Sequence, residues 1–178
     1  MHGREALLDA NIRPAAIGDL PALQRIYNHE ILHGTATWDI EPWTDAQRAA
    51  WLEEHAADRT LSVVVADLDG EVAGFAYFSI YRGKVGYRYT RETSVYVDDR
   101  FHRRGVGRAL MRSQLETARV VGLHALMAVI EASNAASIEL HATLGFERVS
   151  RKREVGRKFG RWLDSVEMEL LLPLEPPD

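Results

Sequence analysis

The chain of 178 residues contains no cysteine. That excludes thiol nucleophiles, cysteine-ligated zinc and iron–sulfur clusters, and it agrees with a reducing compartment. Lysine is scarce, standing only at 84, 152 and 158, so nearly every cation is an arginine, the side chain suited to gripping phosphate or carboxylate in fixed geometry. Long apolar runs are missing too. Those present, such as Leu170-Leu171-Leu172, fall far short of a membrane span, and Met1 to Glu5 lack a signal-peptide core, so no membrane partner and a cytoplasmic location are expected. A formal net charge of −4 argues against a nucleic-acid partner. What remains, 46% hydrophobic and 27% charged residues, is the composition of an ordinary globular domain, long enough to bury about 70% of its unfolded surface.

Periodicity divides the chain. Residues 1–10 show none and are expected to be a flexible leader; one domain is expected over 11–172, followed by a Pro-rich tail, 173–178. A short strand is predicted around Ile12. Asp19 is placed as N-cap of a helix with Leu20, Leu23, Ile26 and Tyr27 at helical spacing, ended by Gly34. Thr44-Asp45-Ala46-Gln47 is a capping-box pattern opening a second helix to about Ala57. Leu61–Ala66 and Val72–Ile80, joined by Asp69-Gly70, predict a hairpin. Thr90–Val97 predicts a strand with Glu92, Ser94 and Tyr96 on one face and Thr93, Val95 and Val97 on the other. A helix follows over Gly105–Val121, then a buried strand over Ala125–Ile130 and a helix from a Ser133 cap to Leu144. Phe146–Ser150 and Trp162–Leu171 predict a strand pair around a basic loop. The order is β-α-α-β-β-β-α-β-α-β-β, a mixed α/β fold.

Two motifs carry chemistry. Arg103-Arg104-Gly105-Val106-Gly107-Arg108 joins a strand to a helix start. Glycines let successive N–H groups point into one concavity, the helix adds partial positive charge, and the arginines favour a phosphate or pyrophosphate. Arg112, one turn further along, is expected to matter little. His29-Glu30-Ile31-Leu32-His33 has the His-Glu-x-x-His spacing of zinc hydrolases. Gly34 stops that helix at once and no third histidine follows at the required spacing, so no metal is expected.

Arg104-Gly105-Val106-Gly107-Arg108-Ala109 resembles the Arg/Gln-x-x-Gly-x-Gly/Ala signature of the GNAT N-acetyltransferases. Ala132-Ser133-Asn134 through Ser137-Ile138 to Leu140-His141 and Leu144-Gly145-Phe146 resembles the family's second coenzyme motif, and Arg91 to Val97 its central strand. Ile26-Tyr27-Asn28, Trp38, Tyr81-Arg82 and Lys158 to Asp164 are similar to the phosphinothricin and methionine sulfone acetyltransferase branch. The resemblance implies a GNAT-like α/β fold: a central, mostly antiparallel twisted sheet flanked by about four helices. It also implies an acetyl-CoA site, with the pyrophosphate on the amides from Arg103 to Arg108, through Arg104, Gly105, Val106 and Gly107. The pantetheine would lie along the main chain of Val95, Tyr96 and Val97, held by Asn134. Glu92 is the implied general base and His141 the group in the general-acid slot. Arg82 would grip a small amino-acid-like substrate walled by Trp38, Tyr81 and Tyr89, and a homodimer is implied. Another amine, a protein N-terminus as acceptor, and a non-catalytic acyl-CoA sensor are the alternatives.

Overall fold

Seven strands and four helices alternate along residues 10–173, the part described by the computed structural model. The expectations for residues 1–9 and 174–178 lie outside it. In chain order the elements are β1 (Asn11–Pro14), α1 (Leu20–His33), α2 (Asp45–Ala57), β2 (Val63–Leu68), β3 (Glu71–Ile80), β4 (Thr90–Val97), α3 (Val106–Val120), β5 (Ala125–Glu131), α4 (Ala135–Thr143), β6 (Glu147–Lys158) and β7 (Arg161–Leu171). They form one sheet in the order β1-β2-β3-β4-β5-β7-β6. Only the β4–β5 pair is parallel, as the intervening helix α3 requires; the other neighbours run antiparallel. No helix among the described residues is long and apolar enough to cross a membrane.

Turn chemistry sets the hairpins. Asp69 and Gly70 have φ of 53° and 83°, and Phe159 and Gly160 have φ of 50° and 74°, the double left-handed geometry that matches strand twist in two-residue loops. The second hairpin corrects the predicted basic loop. β6 continues through Lys158, with irregularities at Arg148/Ser150 and Lys152/Gly156. It is an edge strand whose charges, Lys158 apart, face solvent, so it lacks the apolar alternation by which strands are recognised. Helix starts differ in detail as well. Asn134, not Ser133, caps α4, its Oδ1 accepting from the Ser137 amide at 3.0 Å. The Asp19 carboxylate is occupied by Arg13 and the Ala16 amide. The predicted capping box is present at Thr44 and Gln47.

The helices cover the two sheet faces. Leu23, Ile26, Tyr27 and Ile31 of α1 and Leu52 of α2 pack on Val65, Phe75 and Tyr96. Met111, Leu115 and Ala118 of α3 pack with Phe78, Leu126, Phe146 and Met168 on the opposite face. Each such buried side chain contributes about 1.5–3 kcal/mol. Alternation along β4 follows the sequence reading: Tyr96 faces α1 while the Thr93 hydroxyl meets Met111 of α3, which puts Glu92 on the α1 side.

One irregularity positions the site. β4 pairs with β5 only through Thr90, Arg91 and Glu92, opposite Ala125, Leu126 and Met127. β3 pairs with β4 all the way to Val97, and β7 with β5 to Glu131. Past Glu92 the two central strands therefore separate, each held by its outer neighbour.

Candidate active site

A cleft of about 1020 Å³ occupies that separation. Thr93 to Val97 form one wall and Ala128 to Glu131 the other, with Asn134, Ser137, Leu140 and His141 of α4 along the side and His102 to Arg108 at the mouth. Of the cofactor residues expected from sequence, all ten line it: Val95, Tyr96, Val97, Arg103, Arg104, Gly105, Val106, Gly107, Arg108 and Asn134. Arg112, one turn further along α3, lines it too.

The mouth is built for an anion. Asp98 caps the turn Asp99–Phe101 by accepting from the Arg100 amide at 3.0 Å, and buried Phe101 anchors it. The guanidiniums of Arg25 and Arg100 hold the Asp98 carboxyl well below the usual carboxylate range. Arg103 then turns left-handed at φ 58°, and Gly105 at φ 82° caps α3 without any side-chain acceptor. Among the described residues no side chain caps this helix start, which leaves the Val106 and Gly107 amides as donors for a ligand. Gly107 serves packing: a Cβ there would lie 3.2 Å from Leu140 Cδ2, so its absence lets α3 approach α4.

Glu92 does not line the cleft; it is the last β4 residue paired with β5, next to Thr93 where the lining begins. Its carboxylate makes no hydrogen bond to the described residues. Burial pushes its pKa up, the charge of Glu167 adds to that, and Lys152 opposes it. Sheet register explains the neighbours. Met127, Val129 and Glu131 of β5 share the Glu92 face, and opposite them on β7 stand Glu169, Glu167 and Ser165. Glu167 is fixed by Lys152 and by the Ser150 hydroxyl at 2.8 Å, and is itself held below the usual range. His141 is buried on α4, its Nδ1 2.8 Å from the Ser137 carbonyl oxygen, and burial lowers its pKa. It is thus neutral near pH 7, and donating a proton as an acid would first require charging it.

The acceptor residues expected from sequence are not gathered in the cleft. Arg82 is exposed at the end of β3, stacked on Tyr81 and Tyr87 at 4.9 and 5.4 Å, though its charge reaches Glu167. Tyr89 stacks under Arg88 at 4.6 Å while its carbonyl receives the His124 amide. Trp38 lies across Gly156 of β6, where a Cβ would overlap its ring. Gly156 pairs with Leu163, on the same face of β7 as Ser165 and Glu167, so Trp38 roofs the Glu92 face at its β6 side.

Sequence reasoning missed what holds the loop that carries Trp38. Lys158, 4% exposed, donates to the Glu30 and Thr37 carbonyls at 3.0 Å each. Glu131, 5% exposed, accepts from Thr35 Oγ1 at 3.2 Å and from Ser133 N and Oγ, tying the loop to the start of α4. Tyr27 donates to Asp39 at 2.9 Å, and Asn28 and Trp43 exchange two bonds of 3.0 Å. Tyr27, Asn28 and Lys158 were visible as motif residues, but their partners lie up to 128 positions away. The His-Glu-x-x-His motif is taken up otherwise: His29 Nε2 lies 2.9 Å from Asp99, and its ring is 4.7 Å from that of His33.

Comparison with known proteins agrees with this geometry. Residues 23–146 match the model of the acetyltransferase (GNAT) family. The chain is 43% identical over 165 residues, 93% of its length and 96% of the relative's, to an L-methionine sulfoximine/L-methionine sulfone acetyltransferase of Pseudomonas aeruginosa. It is 39% identical over 158 residues, 88% and 92% of the two chains, to a phosphinothricin N-acetyltransferase of Streptomyces coelicolor. The structure of yncA, a putative acetyltransferase from Salmonella typhimurium with its cofactor acetyl-CoA, superposes with a TM-score of 0.91 at 40% identity, covering 96% of this chain and 98% of that one. The fold that carries this cleft is thus shared with proteins named as acetyltransferases, and the chain belongs to the GNAT acetyltransferase family.

Proposed function

We propose that the chain acetylates the α-amine of a small amino acid whose side chain ends in a sulfone, sulfoximine or phosphinate group, with Glu92 as the base. The observation that carries this reading is the placement of an unbonded, partly desolvated carboxylate on the last paired residue before the central strands part, next to Thr93 where the lining of the cleft begins, with a helix start ringed by arginines at the cleft mouth. The cleft fits acetyl-CoA: the Val106 and Gly107 amides with Arg103, Arg104 and Arg108 suit the pyrophosphate, and the edges of Val95 to Val97 and Ala128 to Ile130, which do not pair with each other, suit an amide-bearing arm. Asn134 keeps its amide hydrogens for that arm, since its Oδ1 serves as cap. When bound, acetyl-CoA supplies a thioester carbonyl as electrophile.

Glu92 faces the α1 side, so the amine approaches from there and reaches the cleft through the strand gap. An ammonium cannot attack. Glu92 takes one proton, the nitrogen bonds to the acetyl carbon, the carbon–sulfur bond breaks with the electron pair leaving on sulfur, and the second proton that the nitrogen must lose passes through water to that thiolate, giving the amide and the free thiol. Trp38 walls the acceptor, and Arg82, whose charge already reaches Glu167 beside Glu92, grips its carboxylate or side-chain oxyanion with Tyr81 beneath. Tyr89 completes that apolar wall. The protein acts in the cytoplasm as one domain over residues 11–172. It pairs as a homodimer through its last hairpin, where Phe159 and Trp162 are 51% and 61% exposed.

The test is coenzyme A release over an acceptor panel. Methionine sulfone, methionine sulfoximine or phosphinothricin should exceed methionine and spermidine at least tenfold in kcat/KM, and Arg82→Ala should erase the gap. A peptide N-terminus or spermidine as the better acceptor would overturn the substrate assignment.

A further inference from the structure

His141 is 2% exposed, yet its Nε2 is buried without a partner among the described residues. Its other nitrogen decides what that atom can do. Nδ1 lies 2.8 Å from the main-chain oxygen of Ser137, one turn earlier in α4. A carbonyl only accepts, so Nδ1 carries the ring hydrogen and neutral Nε2 presents a lone pair. Phe146 packs edge-on against the ring at 5.0 Å and 84°, fixing it. A buried acceptor left unmatched is costly, and in a cleft wall it marks where a donor of the ligand belongs.

Topology tells which donor. α4 begins at the far end of β5, where the Asn134 amide bonds the Glu131 carbonyl. It ends at Gly145, whose absent Cβ would sit 3.5 Å from Leu170, and Leu170 pairs with Leu126, which pairs with Arg91. The helix thus runs from the mouth back to the closed end. His141 stands two turns past Asn134, at the Glu92 end of the cleft. A coenzyme with its phosphates at the mouth brings its sulfur there.

We infer that His141 Nε2 accepts a hydrogen bond from the S–H of the free coenzyme A thiol, so that His141 holds the thiol product and is not the proton donor to the leaving sulfur. An acetyl thioester has no S–H and forgoes this bond, so the contact separates product from donor substrate. The inference rests on the acetyl-CoA reading of the cleft.

The test is a calorimetric cycle with no turnover. Affinities of coenzyme A and desulfo-coenzyme A are measured for wild type and His141→Phe, so that the sulfur's own packing cancels. Coenzyme A should bind about fivefold more tightly than its desulfo analogue to wild type, and the ratio should fall below twofold in His141→Phe. His141→Gln, which keeps an acceptor, should restore part of it. Equal ratios in wild type and His141→Phe would overturn the inference. Nitrogen-15 NMR of the wild-type ring gives a readout free of any variant: Nε2 should carry no hydrogen at pH 7 and shift on adding coenzyme A but not desulfo-coenzyme A. An imidazolium at pH 7 would contradict the proposal. Failure of wild type to bind either ligand would instead overturn the coenzyme reading itself.

Discussion

Gly156 has an ordinary place in β6, but the ring of Trp38 occupies the space a side chain would fill. Any Cβ there must push the indole off the Glu92 face or lift the strand, and whether the neighbours can give decides the cost. Gly156→Ala should raise KM for the acceptor severalfold while leaving the acetyl-CoA Kd unchanged, measured by steady-state kinetics and calorimetry side by side. Unchanged acceptor KM would remove Trp38 from the acceptor wall. Glu92 supplies a second residue-scale expectation. In the proposed role of base its ionised form is the active one, so kcat/KM should rise with pH through a pKa lifted by burial and by Glu167. Glu167 is kept ionised by Lys152 and Ser150. Removing its charge in Glu167→Gln should therefore move the acid limb to lower pH, and Lys152→Met, which leaves Glu167 uncompensated, should move it higher. A pH profile from 4.5 to 8 checks both signs.

At the scale of elements, the start of α3 is the site's electrostatic asset. Gly105 holds φ 82°, a conformation that a β-branched residue strongly resists. Gly105→Val should cost at least tenfold in acetyl-CoA affinity by calorimetry, whereas Arg119→Ala, at the other end of α3, should leave it within twofold; equal affinities for all three proteins would refute the anion site. This turn was readable in the sequence because all its determinants fall within a few residues. The basic stretch in β6 was not, since an edge strand facing water carries no apolar alternation. Nor was the choice between Ser133 and Asn134 as cap, for the Ser133 hydroxyl is claimed by Glu131, an alternative that local propensity cannot weigh.

For the molecule as a whole, the element order, the sheet and the position of β4 at its centre followed from periodicity and motif. The strand gap did not. It is an absence of pairing between segments some thirty residues apart, and nothing local in Thr93 to Val97 announces it. The loop bearing Trp38 is likewise a product of distance: Lys158 and Glu131 reach it across 121 and 96 positions, so their motif membership was visible but their task was not. On the proposed reading, this arrangement lets an amine on the α1 side meet an acetyl group on the α3–α4 side beside Glu92. The most direct measurement is kcat of Glu92→Gln with methionine sulfone from pH 6 to 9, with the acetyl-CoA Kd measured in parallel. The variant keeps the shape and loses the basicity, so kcat should drop by about 10²–10⁴ near neutral pH with the Kd unchanged. Full kcat across that range would contradict the account.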